Sequence, residues 1–356
     1  MSAIDMSFQE ESVLSMPVKK WTESQAENIT KVAYGINVKA ITLSSERDQN
    51  FLVTTDDGEK FVLKITHPSE PREITLFQTD VQIHMMNHPL NPPVPGLHKT
   101  TTGDYIYWYN QGTSSCQAIR LISFLDGIAL YKTERTSQQR QAIGRALGTL
   151  DEVLKSYDGF IPEQDFLWDT QNAQQLTGLL PYIKDAERRK LAEHYMDRFK
   201  TFAVPRLEKL KKQIIHNDLN AYNALVEKNN LDIVSGIIDF GDIVNGPAVV
   251  DLAVACAYQL SDTGNPLSTA KDVIHGYQQA FPLTEEEIEL LPDLIAARLL
   301  VTVLITGWRA ERNPENREYI LRNNPLSWNG LENMRNYSHQ ELVDTINTFE
   351  GNKNVR

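Results

Sequence analysis

The run His216-Asn217-Asp218-Leu219-Asn220-Ala221-Tyr222-Asn223 stands directly before two short apolar runs, Ala224-Leu225-Val226 and residues 233–240. The second run closes on Ile238-Asp239-Phe240-Gly241-Asp242. Between the runs the polar Lys228-Asn229-Asn230 is a turn signal, so the pattern predicts a β-hairpin framed by acidic and amide side chains. Phosphoryl transfer needs such a set. A carboxylate must orient the attacking hydroxyl and take its proton. A divalent metal on the phosphates wants hard oxygen ligands, one or two carboxylates with an amide nearby. Asp218 and Asn223 lie in one loop, spaced so that the aspartate can face a substrate while the asparagine turns back to a metal. Asp239 ends the adjacent strand and can reach the same metal. Asp and Asn also make turns and cap helices. Three of them in order around a hairpin favour the chemical reading. His216 reads as a residue that holds the loop by hydrogen bonding rather than as an acid or base. Asp251 reads as an N-cap or a loop tie. Asp242 stays open between a second metal contact, a contact to a substrate ammonium and a turn residue.

Upstream, the pattern is strand-like. Ile41-Thr42-Leu43 and Phe51-Leu52-Val53-Thr54-Thr55 are β candidates, and Asp56-Asp57-Gly58 is a tight-turn signal before the returning Lys60-Phe61-Val62-Leu63-Lys64-Ile65. Residues 73–86 have helical spacing, with Leu76, Phe77, Val81 and Met85 on one side. Asn91-Pro92-Pro93-Val94-Pro95-Gly96 breaks that helix, and residues 105–109 and 116–124 read as two further strands. The first 20 residues read as an arm or a first helix. Beyond Phe124 the chain turns helical. Helices are predicted over 138–154, 187–212 (kinked or split near Pro205), 250–260, 270–280 and 290–309.

Composition narrows the function classes. No apolar stretch reaches the roughly 18–20 residues of a membrane span, and no basic start with an apolar run marks a signal peptide. Two cysteines, Cys116 and Cys256, speak against a disulfide framework or a zinc site. A cytoplasmic protein is expected. Lys and Arg total 35 against 47 Asp and Glu, a net charge of −12. That balance disfavours nucleic acid as a partner. It either attracts a cationic substrate or simply confers solubility.

The His-x-Asp-x4-Asn loop, the hairpin and the strand-end aspartate together resemble the aminoglycoside phosphotransferase and choline kinase family, which has a protein-kinase-like fold. The resemblance implies an α+β, two-lobed chain. Residues 1–123 would form a nucleotide-binding lobe, a five-stranded antiparallel sheet plus a helix. Residues 124–356 would form a mainly helical lobe with the catalytic loop and acceptor site. It implies Asp218 as catalytic base, Asn223 and Asp239 as ligands of Mg2+, and ATP or GTP as phosphoryl donor. By local chemistry Lys64 is an outward strand lysine; the resemblance places it where a lysine grips the α- and β-phosphates. Gln78 aligns with the glutamate that usually pairs with that lysine, with Glu73 and Asp80 close by. Ser44 and Ser45 open a glycine-free loop where phosphates would be covered, a loop equally readable as solvated. Ser123 and Leu125 fall at the hinge, where backbone groups would bond the base; an edge strand leading into a turn describes the same residues.

The resemblance extends to the hydroxylysine kinase subgroup. It rests on residues 45–51 followed by Phe61-Val62-Leu63-Lys64, and on Arg298-Leu299, Asn313-Pro314-Glu315-Asn316, Tyr319-Ile320-Leu321 and Trp328. The implied acceptor is a small molecule bearing a hydroxyl, an amino alcohol or amino-acid-like compound. Hydroxylysine is favoured; homoserine, choline and aminoglycosides stay open. Arg298 and Arg309 are candidate cations for an acceptor carboxylate and Trp308 a candidate packing partner, although local chemistry favours a structural role for all three. The rival class is a catalytically silent pseudokinase that binds a nucleotide or metabolite. A protein kinase is disfavoured by the missing glycine-rich loop and by Asn220 where many protein kinases place a lysine.

Overall fold

The computed structural model describes residues 20–45, 47–164 and 166–348; apart from Lys20, the expected N-terminal arm lies outside them. The chain forms two compact units. The first comprises Met1–Asp126, Tyr157–Asp165 and Ser235–Gly241, and the second Gly127–Ser156, Phe166–Val234 and Asp242–Arg356. Asp239 therefore belongs to the same unit as Lys64, and Asp218 and Asn223 to the other.

In the first unit, helix α1 (Glu23–Tyr34) starts at a capping box made by Thr22 and Gln25 and ends at Gly35, whose φ of 72° suits a residue without a Cβ. It packs on an antiparallel sheet of β1 (Val38–Leu43), β2 (Gln49–Thr55), β3 (Lys60–Ile65), β4 (Leu97–His98), β5 (Tyr107–Tyr109) and β6 (Gln117–Ser123). Strand order is β1-β2-β3-β6-β4, with β5 also on β6. Five strands are expected from sequence and six are present: β4 is two residues long, too short to show an alternation. The sequence reading assigns no element to residues 21–34, although Thr22-x-x-Gln25 is a capping signal. The turn at Asp56-Asp57-Gly58 forms as expected, with Gly58 at φ 90° and its N–H on the Thr55 carbonyl at 3.0 Å.

Strand alternation fixes the faces of this sheet. Phe61, Leu63 and Ile65 of β3 are buried with Phe51, Val53, Ile119 and Leu121 and with Ala26, Ile29 and Ala33 of α1. Lys64 must therefore lie on the opposite face. Its Cα partners are Asn50 on β2 and Arg120 on β6. Helix α2 (Arg72–Asn87) supplies Gln78 and Thr79, both buried.

The second unit is mainly helical. Its long axis of packing is α7 (Glu285–Arg312), started by a Thr284/Glu287 capping box and buried along most of its length. The flanking helices are α3 (Ser137–Leu154), α4 (Ala186–Arg198), α5 (Ala248–Ala257) and α6 (Leu267–Gln278). The helix expected to run to residue 212 passes through a π turn at Phe199–Ala203 and one further turn, Val204–Leu207. Pro205 lacks the N–H that a continuous helix requires, and the π turn absorbs the mismatch. Short strands support the catalytic loop: β7 (Ile128–Ala129) pairs with β9 (Ala224–Val226), and β8 (Gln213–Ile215) with β11 (Val244–Gly246). After β9 the chain turns, with Glu227 N–H on the Ile233 carbonyl at 2.9 Å, into β10 (Val234–Ile237), of which all but Val234 belongs to the first unit. Among the described residues no helix is long and apolar enough to cross a membrane.

Helices α3 and α6 approach so closely that only glycine fits. A Cβ on Gly144 would lie 1.9 Å from the Val273 carbonyl oxygen, and one on Gly276 1.9 Å from the Gln141 oxygen. Both obstacles are backbone and cannot rotate away. Gly144→Ala and Gly276→Ala should each destabilise the protein by about 1–3 kcal/mol or more. Gly178→Ala, where nothing stands within 4 Å, serves as the control. Equal denaturation midpoints for all three variants would remove the argument.

Candidate active site

Two constellations stand out, one in each unit. In the first, the Lys64 ammonium is largely buried and lies 3.1 Å from Asp48 Oδ2 and 3.8 Å from Asp239 Oδ1. Asp48 Oδ1 also accepts the His67 N–H at 3.1 Å, and the Ser45 hydroxyl donates to the Asp48 carbonyl. Burial alone would neutralise these groups. For Asp48, burial pushes the carboxyl up, but Lys64, Arg120 and the His67 bond outweigh it, so it stays below its ordinary value. For Lys64, burial pulls down while Asp48 and Asp239 hold the ammonium above its ordinary value. The partner of Lys64 is thus Asp48, which the sequence reading does not single out.

Gln78, aligned by resemblance with the usual glutamate partner, spends its amide elsewhere. Its Oε1 accepts from Arg120 Nη2 at 3.2 Å, and its Nε2 donates to the Gly241 carbonyl at 3.0 Å and to Glu70 at 3.4 Å. Arg120 is only 2% exposed and needs an acceptor, which a neutral amide can supply while also pinning the segment that carries Asp239. Ser44 and Ser45 are exposed on the loop after β1. At the expected hinge, Ser123 N–H is taken by the Gly96 carbonyl at 2.8 Å and Phe124 N–H by the Lys60 carbonyl at 3.4 Å. The Leu125 backbone takes part in neither bond.

Asp239 adopts φ 68°, a left-handed conformation that Asp and Asn tolerate best among side chains with a Cβ. Its side chain is 58% exposed. Among the described residues, the Gly241 N–H approaches it besides Lys64, at 3.4 Å to Oδ1. Oδ2 meets no hydrogen-bond donor among the described residues, which suits a hard cation.

In the second unit the loop from His216 to Asn223 is held by side chains in place of a ladder. The fully buried Asp251 carboxylate accepts His216 N–H at 2.6 Å and Asn217 N–H at 2.8 Å. Asp251 is a loop tie. His216 Nδ1 accepts the Asp218 N–H at 3.2 Å, in keeping with a loop-holding histidine. Asn217 sits at φ 64° and donates its amide to the Asp242 carbonyl at 3.3 Å. Behind Asp251 lies a second buried acid, Asp151 of α3. Its Oδ2 accepts the Tyr277 hydroxyl at 2.5 Å. Its Oδ1 meets no donor among the described residues, and the side chain is a hydrogen-bond neighbour of Asp251. Burial, then the Asp251 charge, pushes Asp151 well above the ordinary carboxylate range. The direction favours Asp151 as the donor of the pair, since the bond between them raises Asp151 and lowers Asp251.

The Asp218 carboxylate is engaged at both oxygens. Oδ2 accepts from Asn220 Nδ2 at 2.8 Å and from Asn223 Nδ2 at 3.0 Å; the latter also donates to the Asp218 carbonyl at 2.9 Å. That leaves Asn223 Oδ1, the amide atom able to ligate a cation, outside the pair. Oδ1 of Asp218 accepts from Arg298 Nη2 at 2.7 Å. The Arg298 guanidinium is 3% exposed, and its rings of company are Trp168 and Tyr258, with centroids 5.9 and 5.8 Å away. Burial pulls this guanidinium down, but Tyr258 and Asp218 raise it. Nearby Asp169 is pushed up to about 6 by burial, against hydrogen bonds from Gln171. Trp308, the expected packing partner, is buried on α7. One sequence signal points to Arg298: it is the single charge in the apolar stretch Leu294-Ile295-Ala296-Ala297-Arg298-Leu299-Leu300-Val301.

Residues 39–290 match the family model described as the phosphotransferase enzyme family (APH). The chain belongs to that family. It is a phosphotransferase with an alcohol group as acceptor, a member of a family of small-molecule kinases, and its fold is protein-kinase-like. Hydroxylysine kinase of Xenopus laevis is 28% identical over 348 residues, covering 91% of this chain and 92% of its own. Homoserine kinase of Zymomonas mobilis is 27% identical over 284 residues, 77% of this chain and 81% of its own. Among solved structures, amicoumacin kinase hAmiN in complex with AMP-PNP, Ca2+ and Ami superposes with a TM-score of 0.67 at 14% identity, covering 94% of this chain and 99% of its own.

The raised Asp151 makes a pH prediction. A carboxyl whose folded value lies above its unfolded one stabilises the fold fully only below the unfolded value, about pH 4, and that contribution is lost as pH rises toward the folded value, at up to about 1.4 kcal/mol per pH unit. Asp151→Asn keeps a donor for Asp251 and an acceptor for Tyr277 without a titrating proton. It should flatten the decline in denaturation midpoint as pH rises above about 4. Superimposable pH profiles for the two proteins would show that Asp151 holds no proton.

Proposed function

We propose that the protein is a small-molecule kinase that transfers the γ-phosphate of ATP or GTP to the hydroxyl of an amino-acid-like acceptor, with hydroxylysine favoured. The observation that carries this reading is the Asp218 carboxylate: fixed by Asn220 and Asn223 on one oxygen and by a buried arginine on the other, at the end of a loop whose backbone is tied to Asp251. The resemblance over nearly the whole length to hydroxylysine kinase of Xenopus laevis supports the acceptor class.

Asp218 orients the acceptor hydroxyl and takes its proton as the acceptor oxygen bonds to the γ-phosphorus. The bond from that phosphorus to the β-phosphate oxygen breaks, and nucleoside diphosphate leaves. Lys64, steadied by Asp48, binds phosphate oxygens, with the loop at Ser44 and Ser45 over them. Backbone at Ser123 to Leu125 receives the base, with the Leu125 amide the group least committed to the protein. Asn223 Oδ1 and Asp239 Oδ2 are oxygens of the kind that suits Mg2+. When bound, that ion neutralises charge on the transferred phosphoryl group. The net charge of −12 favours a cationic acceptor, and neither nucleic acid nor a membrane enters the reaction. Two free thiols, Cys116 and Cys256, suit the cytoplasm.

With Mg2+ and ATP or GTP, the purified protein should release nucleoside diphosphate in the presence of 5-hydroxylysine. Asp218→Asn, which keeps the loop geometry, should lower kcat by about 10²–10⁴. Lys64→Ala should chiefly raise the KM for the nucleotide. Undiminished turnover in Asp218→Asn would refute the assignment of the base.

A further inference from the structure

Arg298 has more donors than the protein satisfies. Its Nη1 donates to the Trp168 carbonyl at 3.2 Å, and its Nη2 to Asp218 Oδ1 at 2.7 Å and to the Tyr258 hydroxyl at 3.3 Å. The Nε–H is buried and meets no acceptor. Burying a guanidinium costs several kcal/mol unless its donors are matched. A structural arginine that only braced Asp218 would need neither the orphaned Nε nor a position in an otherwise apolar stretch of α7. A planar fork with a vacant donor, held beside the group that takes the acceptor's proton, suits a carboxylate better than any neutral group. Asp242 adds negative charge nearby, of a sign suited to the ammonium of the same acceptor.

We infer that Arg298 is a specificity-determining residue that recognises a carboxylate on the acceptor, and that this carboxylate draws the guanidinium away from Asp218 Oδ1. The inference rests on the kinase reading given above, with Asp218 as base. While Arg298 holds Oδ1 at 2.7 Å, the guanidinium competes with the acceptor hydroxyl for that oxygen. An acceptor with a carboxylate both binds and releases the base. An acceptor without one leaves the base tied. The discrimination therefore falls on kcat as well as on KM, which distinguishes it from a pocket that merely binds anions.

Matched pairs of acceptors test this: 5-hydroxylysine against 1,5-diaminopentan-2-ol, and homoserine against 3-aminopropan-1-ol. Each pair differs only by the carboxylate. The wild-type protein should favour the carboxylated member by about 100-fold or more in kcat/KM, with part of the ratio in kcat. Arg298→Gln should bring the ratio close to one, and Arg298→Lys, which keeps the buried charge but loses the fork, should fall between. Equal use of both members by the wild type, or a ratio unchanged in a folded Arg298→Gln protein, overturns the inference while the kinase reading stands. Absence of turnover with every acceptor overturns the kinase reading instead. Calorimetric binding of the same pairs then decides the inference: affinity that tracks the carboxylate and vanishes in Arg298→Gln upholds it, and affinity indifferent to either overturns it. Should Arg298→Gln not fold, the Arg298→Lys ratios carry the same test.

Discussion

The Asp251 carboxylate, fully buried and bonded to the backbone N–H groups of His216 and Asn217, is the contact on which the shape of the loop carrying Asp218 depends. Backbone donors inside a protein must find acceptors, and the irregular stretch at His216 to Asp218 has no strand beside it to supply them. Three successive N–H groups are met by side chains instead: two by Asp251 and the third by His216 Nδ1. Asn217 takes a left-handed φ, which turns the loop so that Asp218 faces away from the tie. A single buried charge is tolerable because it accepts charge-assisted bonds. A second would not be. Burial and the neighbouring Asp251 both push Asp151 toward its neutral form, and the Tyr277 hydroxyl donates to its Oδ2.

The first unit solves the opposite problem. Lys64 and Arg120 face each other across β3 and β6, a like-charge pairing that a sheet normally disfavours. Asp48 and Asp239 offset Lys64, and Gln78 supplies Arg120 with an acceptor. Because the amide of Gln78 also holds the Gly241 carbonyl, the same network fixes the backbone that presents Asp239. The lysine proposed to grip phosphate is thus already desolvated and oriented. Glu70, in the same neighbourhood, is pushed up by burial and then by Asp48.

Much of this could be read in the sequence because it is local. The hairpin between Asn223 and Asp239, the Asp56-Asp57-Gly58 turn and the apolar spacing of α3 are set by residues within a few positions of one another. The parts that could not be read depend on distance. Asp48 is one acid in a polar loop, and only the register of β2 against β3 brings that loop's end to Lys64. Arg298 lies 80 residues from Asp218, on a helix whose apolar run made a structural role the simpler expectation. Gln78 fell at the expected place in α2, but a neutral amide offers a buried ammonium less than the carboxylate of Asp48 does. The six-stranded sheet differs from the expected five by an element too short for periodicity to register.

The placement of Arg298 also separates two tasks. In the proposed mechanism the loop from His216 to Asn223, tied by Asp251, supplies the groups for proton removal and metal binding. Arg298 belongs to α7, whose packing against α5 and α4 does not depend on that loop's backbone. A change at position 298, or at Trp168 and Tyr258 around it, can alter which acceptor is recognised while His216, Asn217 and Asp251 keep the base in place. Reaction and acceptor are then encoded on different elements, as expected where one scaffold hosts several specificities. The 2.7 Å bond between Arg298 and Asp218 is where the two elements meet, and in the proposed reading it links acceptor recognition to the residue that takes the acceptor's proton.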